Sequence, residues 1–108
     1  MRFVAAWVAR LICLSVFSPL VYGDGKSDYD TKCAACHGFG VAGAPRLEDY
    51  DSWKLRLQKG LENVQNNAIN GFQGEVGYMP AKGGFTELTD DQVRAAVDYM
   101  LRWALAAD

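Results

Sequence analysis

The strongest pattern of apolar and polar positions lies near the C-terminus. Val93, Ala96, Val97, Met100, Leu101, Ala104 and Leu105 recur at spacings of three and four residues. That is one buried stripe on a helix. Thr89 followed three residues later by Gln92 is a capping box, and Asp90 and Asp91 suit the positive end of the helix dipole. Upstream, Leu61 to Asn70 reads as a shorter helix with Val64, Ala68 and Ile69 on one side. Before it, Asp51-Ser52 can cap a helix that carries Trp53, Leu55, Arg56 and Leu57 and ends at Gly60. Residues 26–37 form another, with Ser27 or Asp28 near its start and Gly38 just past its end.

Between these helices the chain is rich in glycine. Residues 38–45 are small and end at Pro45, and Asn70-Gly71 opens a long loop that runs through Tyr78-Met79-Pro80 to Leu88. No alternating run marks a strand. The expected class is therefore all-α, with about four short helices. Its loops are long for its size, and such loops need something to order around.

The N-terminal stretch has a different character. Met1 to Gly23 holds Arg2, Arg10 and no acid, and Leu11 to Phe17 is almost wholly apolar. The stretch ends at Val21-Tyr22-Gly23 and turns polar at Asp24. A positive end, a short apolar core and a small residue before the cut are the order of a secretory signal. Residues 1–23 are expected to be that signal, and 24–108 a single domain in the periplasm. The alternative is an uncleaved anchor starting near Phe3, holding the domain at the membrane on the periplasmic side. Cys13 does not read as a lipoprotein cysteine, because Ile12 before it is not small.

Without Arg2 and Arg10 the domain has nine basic against thirteen acidic residues, a formal charge of −4. That composition argues against a nucleic-acid partner. So small a domain buries little core and usually needs a staple. Only Cys33 and Cys36 remain of the three cysteines.

Cys33-Ala34-Ala35-Cys36-His37 resolves the question. C-x-x-C-H is the attachment signature for a c-type haem. Cysteines three apart on a helix share a face, so each thiol can add to one haem vinyl group. His37, the one histidine of the chain, can then reach the iron from the same side. Alanines at 34 and 35 let the ring lie close. A zinc site would want four ligands, a thioredoxin-like pair a βαβ setting, and a disulfide across two residues would stabilise little. The Pro45 carbonyl is the expected partner for the other ring N–H of His37.

The sixth iron ligand must come from elsewhere, and Met79, Met100 and the lysines are the candidates. Met100 sits on the apolar stripe, where methionine is usually core. Met79 lies before Pro80 in the glycine-rich loop, which can carry its sulfur across the opposite haem face. Met79 is therefore expected as the distal ligand. Trp53, Leu57, Ile69, Phe72, Tyr78, Phe85 and Val97 are candidate haem-pocket residues, although ordinary core makes almost the same demand on them.

With these residues the chain resembles the single-haem class I cytochromes c, and among them the cytochrome c5 subgroup. The resemblance rests on Tyr29, on Cys33 through Pro45, and on Asn70-Gly71, Met79-Pro80, Lys82-Gly83-Gly84 and Ala96 to Met100. It implies a few helices wrapped round one covalent haem c, with the first helix crossing the last at Tyr29 and Tyr99. It also implies a contact between Trp53 or Arg56 and a haem propionate. Some relatives carry an additional cysteine pair, and this chain does not.

The expected function is one-electron transfer rather than enzymatic catalysis, since no second histidine can serve as acid or base. Redox partner proteins would dock transiently at an exposed haem edge lined by Val41, Ala42, Ala44, Pro80 and Ala81. Lys32 and Lys82 are expected to make that edge locally basic. A haem subunit of a redox enzyme or respiratory complex, and a five-coordinate ligand-binding sensor, are the alternative readings.

Overall fold

The computed structural model describes residues 25–106, so the expected signal segment lies outside the described residues. Within them, four helices surround a small core, in agreement with the all-α expectation. Helix α1 (26–37) is wound in three consecutive pieces, Lys26–Asp28, Tyr29–Cys33 and Ala34–His37. The middle piece is a π turn, in which the Ala34 amide donates to the Tyr29 carbonyl five residues back. Helix α2 is Tyr50–Leu57, α3 is Leu61–Asn70 and α4 is Asp90–Ala106.

Helix α1 crosses α4 at a point where backbones nearly touch. Gly25 has φ +71°, and a Cβ there would fall 2.0 Å from the Ala95 carbonyl oxygen. Only glycine fits both demands. One turn further on, the Tyr29 and Tyr99 rings meet with centroids 5.3 Å apart, and the Arg102 guanidinium lies 3.9 Å over the Tyr99 ring. The aromatic pair expected at the crossing is thus in place. Gln65 on α3 donates to Asp98 on α4 at 2.7 Å and ties those two helices at their edge.

The capping box forms as expected. The Thr89 amide donates to Gln92 Oε1 at 2.9 Å, and the Gln92 amide donates to Thr89 Oγ1 at 3.1 Å. Val93, Ala96, Val97, Met100, Leu101 and Ala104 are buried, but Leu105 is 48 % exposed. Position 105 is turned roughly 120° from Val93 at 100° per residue, which carries it past the edge of the stripe. The residues buried on α3 are Val64, Ala68 and Ile69. These join Tyr29, Trp53 and Leu88 in one core cluster, with Leu101 fully enclosed.

Two other details depart from expectation. Helix α2 begins at Tyr50, ahead of the Asp51-Ser52 cap expected for it, and its N-cap is Asp49. The Asp49 carboxylate does not cap the helix but accepts the Arg46 amide at 2.8 Å, closing the turn that precedes it. The loop after α3 contains a short antiparallel ladder, Phe72–Gln73 (β1) with Tyr78–Met79 (β2), pairing Phe72 with Met79 and Gln73 with Tyr78. Two residues a side leave no periodic signal in the sequence.

Candidate functional site

Helix α1 delivers Cys33, Cys36 and His37 together. Cys33 is half-buried, Cys36 is exposed, and both are free thiols. Burial and then the nearby Asp28 carboxylate push the Cys33 thiol up, so it is no activated thiolate of the kind a dithiol oxidoreductase uses. His37 is 8 % exposed. Its Nδ1 lies 2.8 Å from the Pro45 carbonyl, the partner expected for it. That bond fixes the tautomer and leaves Nε2 as the nitrogen available to a metal. Burial pulls the imidazole below the usual histidine range; the Pro45 bond opposes this, and the Arg56 charge adds to it. A neutral imidazole is the form that binds metal.

The support of His37 reaches one layer further. The Trp53 ring packs on the imidazole with centroids 5.9 Å apart, and Trp53 Nε1 donates to the Arg46 carbonyl at 2.9 Å. The Arg46 amide is held by Asp49, so the residue after Pro45 is bonded through both of its backbone groups. Arg56 stands 5.6 Å over the Trp53 ring and donates to the Ser52 carbonyl at 3.1 Å and to Ser52 Oγ. Trp53 and Arg56, one or the other of which was expected to contact a haem propionate, spend these donors on the protein. Sequence reasoning missed Arg46 and Asp49. Nothing separates R-x-x-D in a loop from an ordinary surface pair.

Met79 comes from β2, in the loop between α3 and α4. It is half-buried against the core. An apolar cavity is lined by Cys33, His37, Ala68, Met79, Lys82, Leu88 and the stripe of α4, Met100 included. Of the candidate pocket residues, Ile69, Val97 and Trp53 are buried in the core and Leu57 packs against it. Tyr78 is 62 % exposed, and Phe72 and Phe85 are also exposed. Leu88 is a wall residue that the sequence, read as loop there, did not reveal. Among the described residues no group of three His, Cys, Asp or Glu side chains could hold a metal ion.

The donor set fits a haem. The His37 imidazole, its tautomer fixed by Pro45, the Cys33 thiol and the thioethers of Met79 and Met100 line one apolar cavity, and Cys36 stands exposed on the same helix as Cys33. Soft sulfur and imidazole nitrogen are the axial donors that haem iron takes in electron-transfer proteins.

The sequence family described as cytochrome c oxidase, cbb3-type, subunit III matches residues 22–100. The chain is 40 % identical over 102 residues to cytochrome c-555 of Chlorobaculum tepidum, covering 93 % of this chain and 94 % of that one. It is 41 % identical over 70 residues to cytochrome c5 of Ectopseudomonas mendocina, covering 63 % and 76 % of the two. The chain belongs to the single-haem class I cytochromes c. A chain from the crystal structure of an electron transfer complex of nitrite reductase with cytochrome c superposes with a TM-score of 0.65 at 34 % identity, covering 76 % of this chain and 95 % of that one. This cytochrome thus carries one covalent haem c and serves electron transfer, as its relatives do.

The surface around the site differs from expectation in its charge. Lys32 pairs with Asp28 at 3.3 Å, and Lys82 pairs with Asp90 at 2.9 Å. Neither offers an unpaired positive charge at the rim. What the rim does present is apolar. Val41, Ala42 and Pro80 are exposed, while Ala44 and Ala81 are half-buried. Phe39 and Val76, not singled out by sequence, are 80 % and 82 % exposed. The two rim loops touch, since a Cβ on Gly77 would fall 2.2 Å from the Ala42 carbonyl oxygen.

Proposed function

We propose that this cytochrome is a periplasmic one-electron carrier in which His37 Nε2 and Met79 Sδ are the axial ligands and Cys33 and Cys36 form the two thioethers. The observation that carries this reading is the cavity that His37 and Met79 line together, with Nδ1 of His37 already committed to Pro45. When bound, the haem supplies the ferric–ferrous couple. The protein's own part is to fix the geometry around it. Pro45 holds the imidazole plane, Trp53 covers it, and Ala68, Val93, Ala96 and Val97 keep water from the ring. Little in such a site needs to move between the two charge states, which suits fast electron exchange.

Export with removal of residues 1–23 belongs to this reading, because covalent haem and a signal-like N-terminus occur in one chain. The apolar rim at Val41, Val76 and Pro80 suits brief docking, and small interfaces of that kind dissociate readily. That a similar fold occurs in a complex with nitrite reductase supports a larger redox protein as the partner. A second reading, a subunit of a respiratory oxidase, is favoured by the family description alone.

Mass spectrometry of the protein purified from its native cells tests the assignment. The expected mass is that of residues 24–108 plus one haem that acid–organic extraction does not remove, with Asp24 at the N-terminus. Extractable haem contradicts the thioethers, and a retained Met1 in membranes supports the anchor. A stoichiometric complex that persists in high salt contradicts the carrier and supports the oxidase subunit.

A further inference from the structure

The turn after Met79 contains a residue in the wrong conformation for its type. Residues Ala81–Gly84 form a tight turn in which Lys82 has φ +55° and ψ +28°. Gly83 and Gly84 beside it also have positive φ, at +63° and +89°, where glycine is at ease. Lys82 is not. Among the described residues the other non-glycine with positive φ is Ala42, in the facing rim loop. Glycine at 82 would meet the backbone requirement without strain, so what lysine adds must lie in its side chain.

That side chain is engaged at both of its possible targets. Nζ donates to the Leu88 carbonyl at 2.6 Å and pairs with Asp90 Oδ1 at 2.9 Å. The side chain is 18 % exposed and its stem lines the same cavity as Met79. Leu88 is a buried wall of that cavity, and Asp90 opens α4, whose Val93, Ala96, Val97 and Met100 form another wall. The Asp90 carboxyl is held below its usual range, first by the Lys82 hydrogen bond and then by its charge. Lys82 thus joins the segment that carries Met79 to the two elements that enclose it. Besides this joint, Ala81–Gly84 packs on α3 and Met79 on the core, while the hydrogen bonds that hold the segment are a two-residue ladder and a few turn bonds, including Gly83 N–H to the Pro80 carbonyl at 3.0 Å and Phe85 N–H to the Lys82 carbonyl at 3.1 Å.

We infer that Lys82 is a positioning residue for the distal ligand: by bridging Leu88 and Asp90 across the turn, it keeps Met79 closed over the haem iron. The inference rests on the reading of Met79 as axial ligand and adds the means by which a glycine-rich loop holds it. It also assigns Lys82 a role other than docking a partner. A charge-assisted hydrogen bond that is lost whenever the loop opens lowers the open population, and with it the rate at which outside ligands reach the iron.

The test uses ferric holoprotein with Lys82→Gly and Lys82→Met, and Met79→Ala beside them. Imidazole binding is followed by stopped flow, together with the far-red sulfur–iron band. Lys82→Gly relieves the backbone and removes the bridge, so a purely conformational role predicts unchanged or slower imidazole entry. The clamp predicts entry faster by about tenfold in both Lys82 variants, the usual scale for one charge-assisted hydrogen bond. Lys82→Arg, which can still reach a carboxylate, should recover part of the slow entry relative to Lys82→Met. Wild-type entry rates in Lys82→Gly, with Met79→Ala abolishing the band, overturn the clamp and leave the ligand assignment standing. A band that survives Met79→Ala overturns the ligand assignment itself.

Discussion

The two sides of the site are built by different means. On the His37 side, the hydrogen bonds that hold the imidazole and its indole cover come from residues 37–53 and are short: Pro45 to His37, Arg46 to Trp53, Arg46 to Asp49. The imidazole is buried, oriented and covered by an indole. On the Met79 side, the candidate ligand sits on a two-residue strand within a glycine-rich loop, and the bond nearest in kind to the Pro45 contact is the one that Lys82 makes to Leu88 and Asp90. Of the two candidate ligands, only His37 is held by a helix. The difference locates weakness. Local opening should begin at the loop, while loss of the helical side should take the fold with it.

Gly25→Ala attacks the foundation of the His37 side. The new methyl meets the Ala95 backbone, and the residue must also keep a left-handed conformation. The two effects together should destabilise the protein by about 2–4 kcal/mol. Denaturant titration measures it. A variant as stable as the wild type would mean that the α1–α4 crossing does not carry α1.

Trp53→Phe leaves the ring contact to His37 but removes the Nε1 donor, so the Arg46 carbonyl loses its partner. The expected cost is about 1–2 kcal/mol. The far-red band should persist, because Met79 is untouched. Loss of that band in Trp53→Phe would break the comparison, since it would show that the two sides are coupled.

The smallest effect concerns pH. Lys82 depresses the Asp90 carboxyl, so the pair's contribution to stability is present above the ordinary carboxylate value of 3.8 and is lost as pH falls through the lower folded value. Asp90 is solvent-exposed, and the effect is correspondingly modest. In Asp90→Asn the thermal midpoint should fall less between neutral and acid pH than in the wild type. Parallel curves for the two proteins would remove the Lys82–Asp90 pair from the account of acid stability.

How much of this was legible in the sequence follows the same division. The His37 side is encoded in contiguous residues. C-x-x-C-H names the attachment chemistry, and Pro45 lies eight residues on, where a short loop can return its carbonyl to the ring. The α4 helix was legible because its cap and its stripe are both local signals; only Leu105 was misplaced, by the drift of a 3.6-residue period. The start of α2 was misjudged because Asp49, Asp51 and Ser52 are all competent caps, and the choice depends on Asp49 being claimed by the Arg46 amide. On the Met79 side a candidate residue was legible, and its support was not. Ala81-Lys82-Gly83-Gly84 reads as a flexible turn with a surface charge. That the lysine folds back on Leu88 and Asp90 depends on the position of α4, which no local pattern states. The same holds for the rim, where an expected basic edge proved to be paired lysines beside exposed Phe39 and Val76.

The central claim is that one haem iron is held between His37 and Met79. Both Met79 and Met100 line the cavity, so the decisive measurement compares Met79→Ala with Met100→Leu by visible absorption of the ferric protein and by redox titration. The account predicts that Met79→Ala loses the far-red sulfur–iron band, lowers the reduction potential and admits external ligands. Met100→Leu should keep the band and cost under about 1.5 kcal/mol of stability, as volume-conserving core changes do. A band that survives in Met79→Ala and vanishes in Met100→Leu would contradict the account.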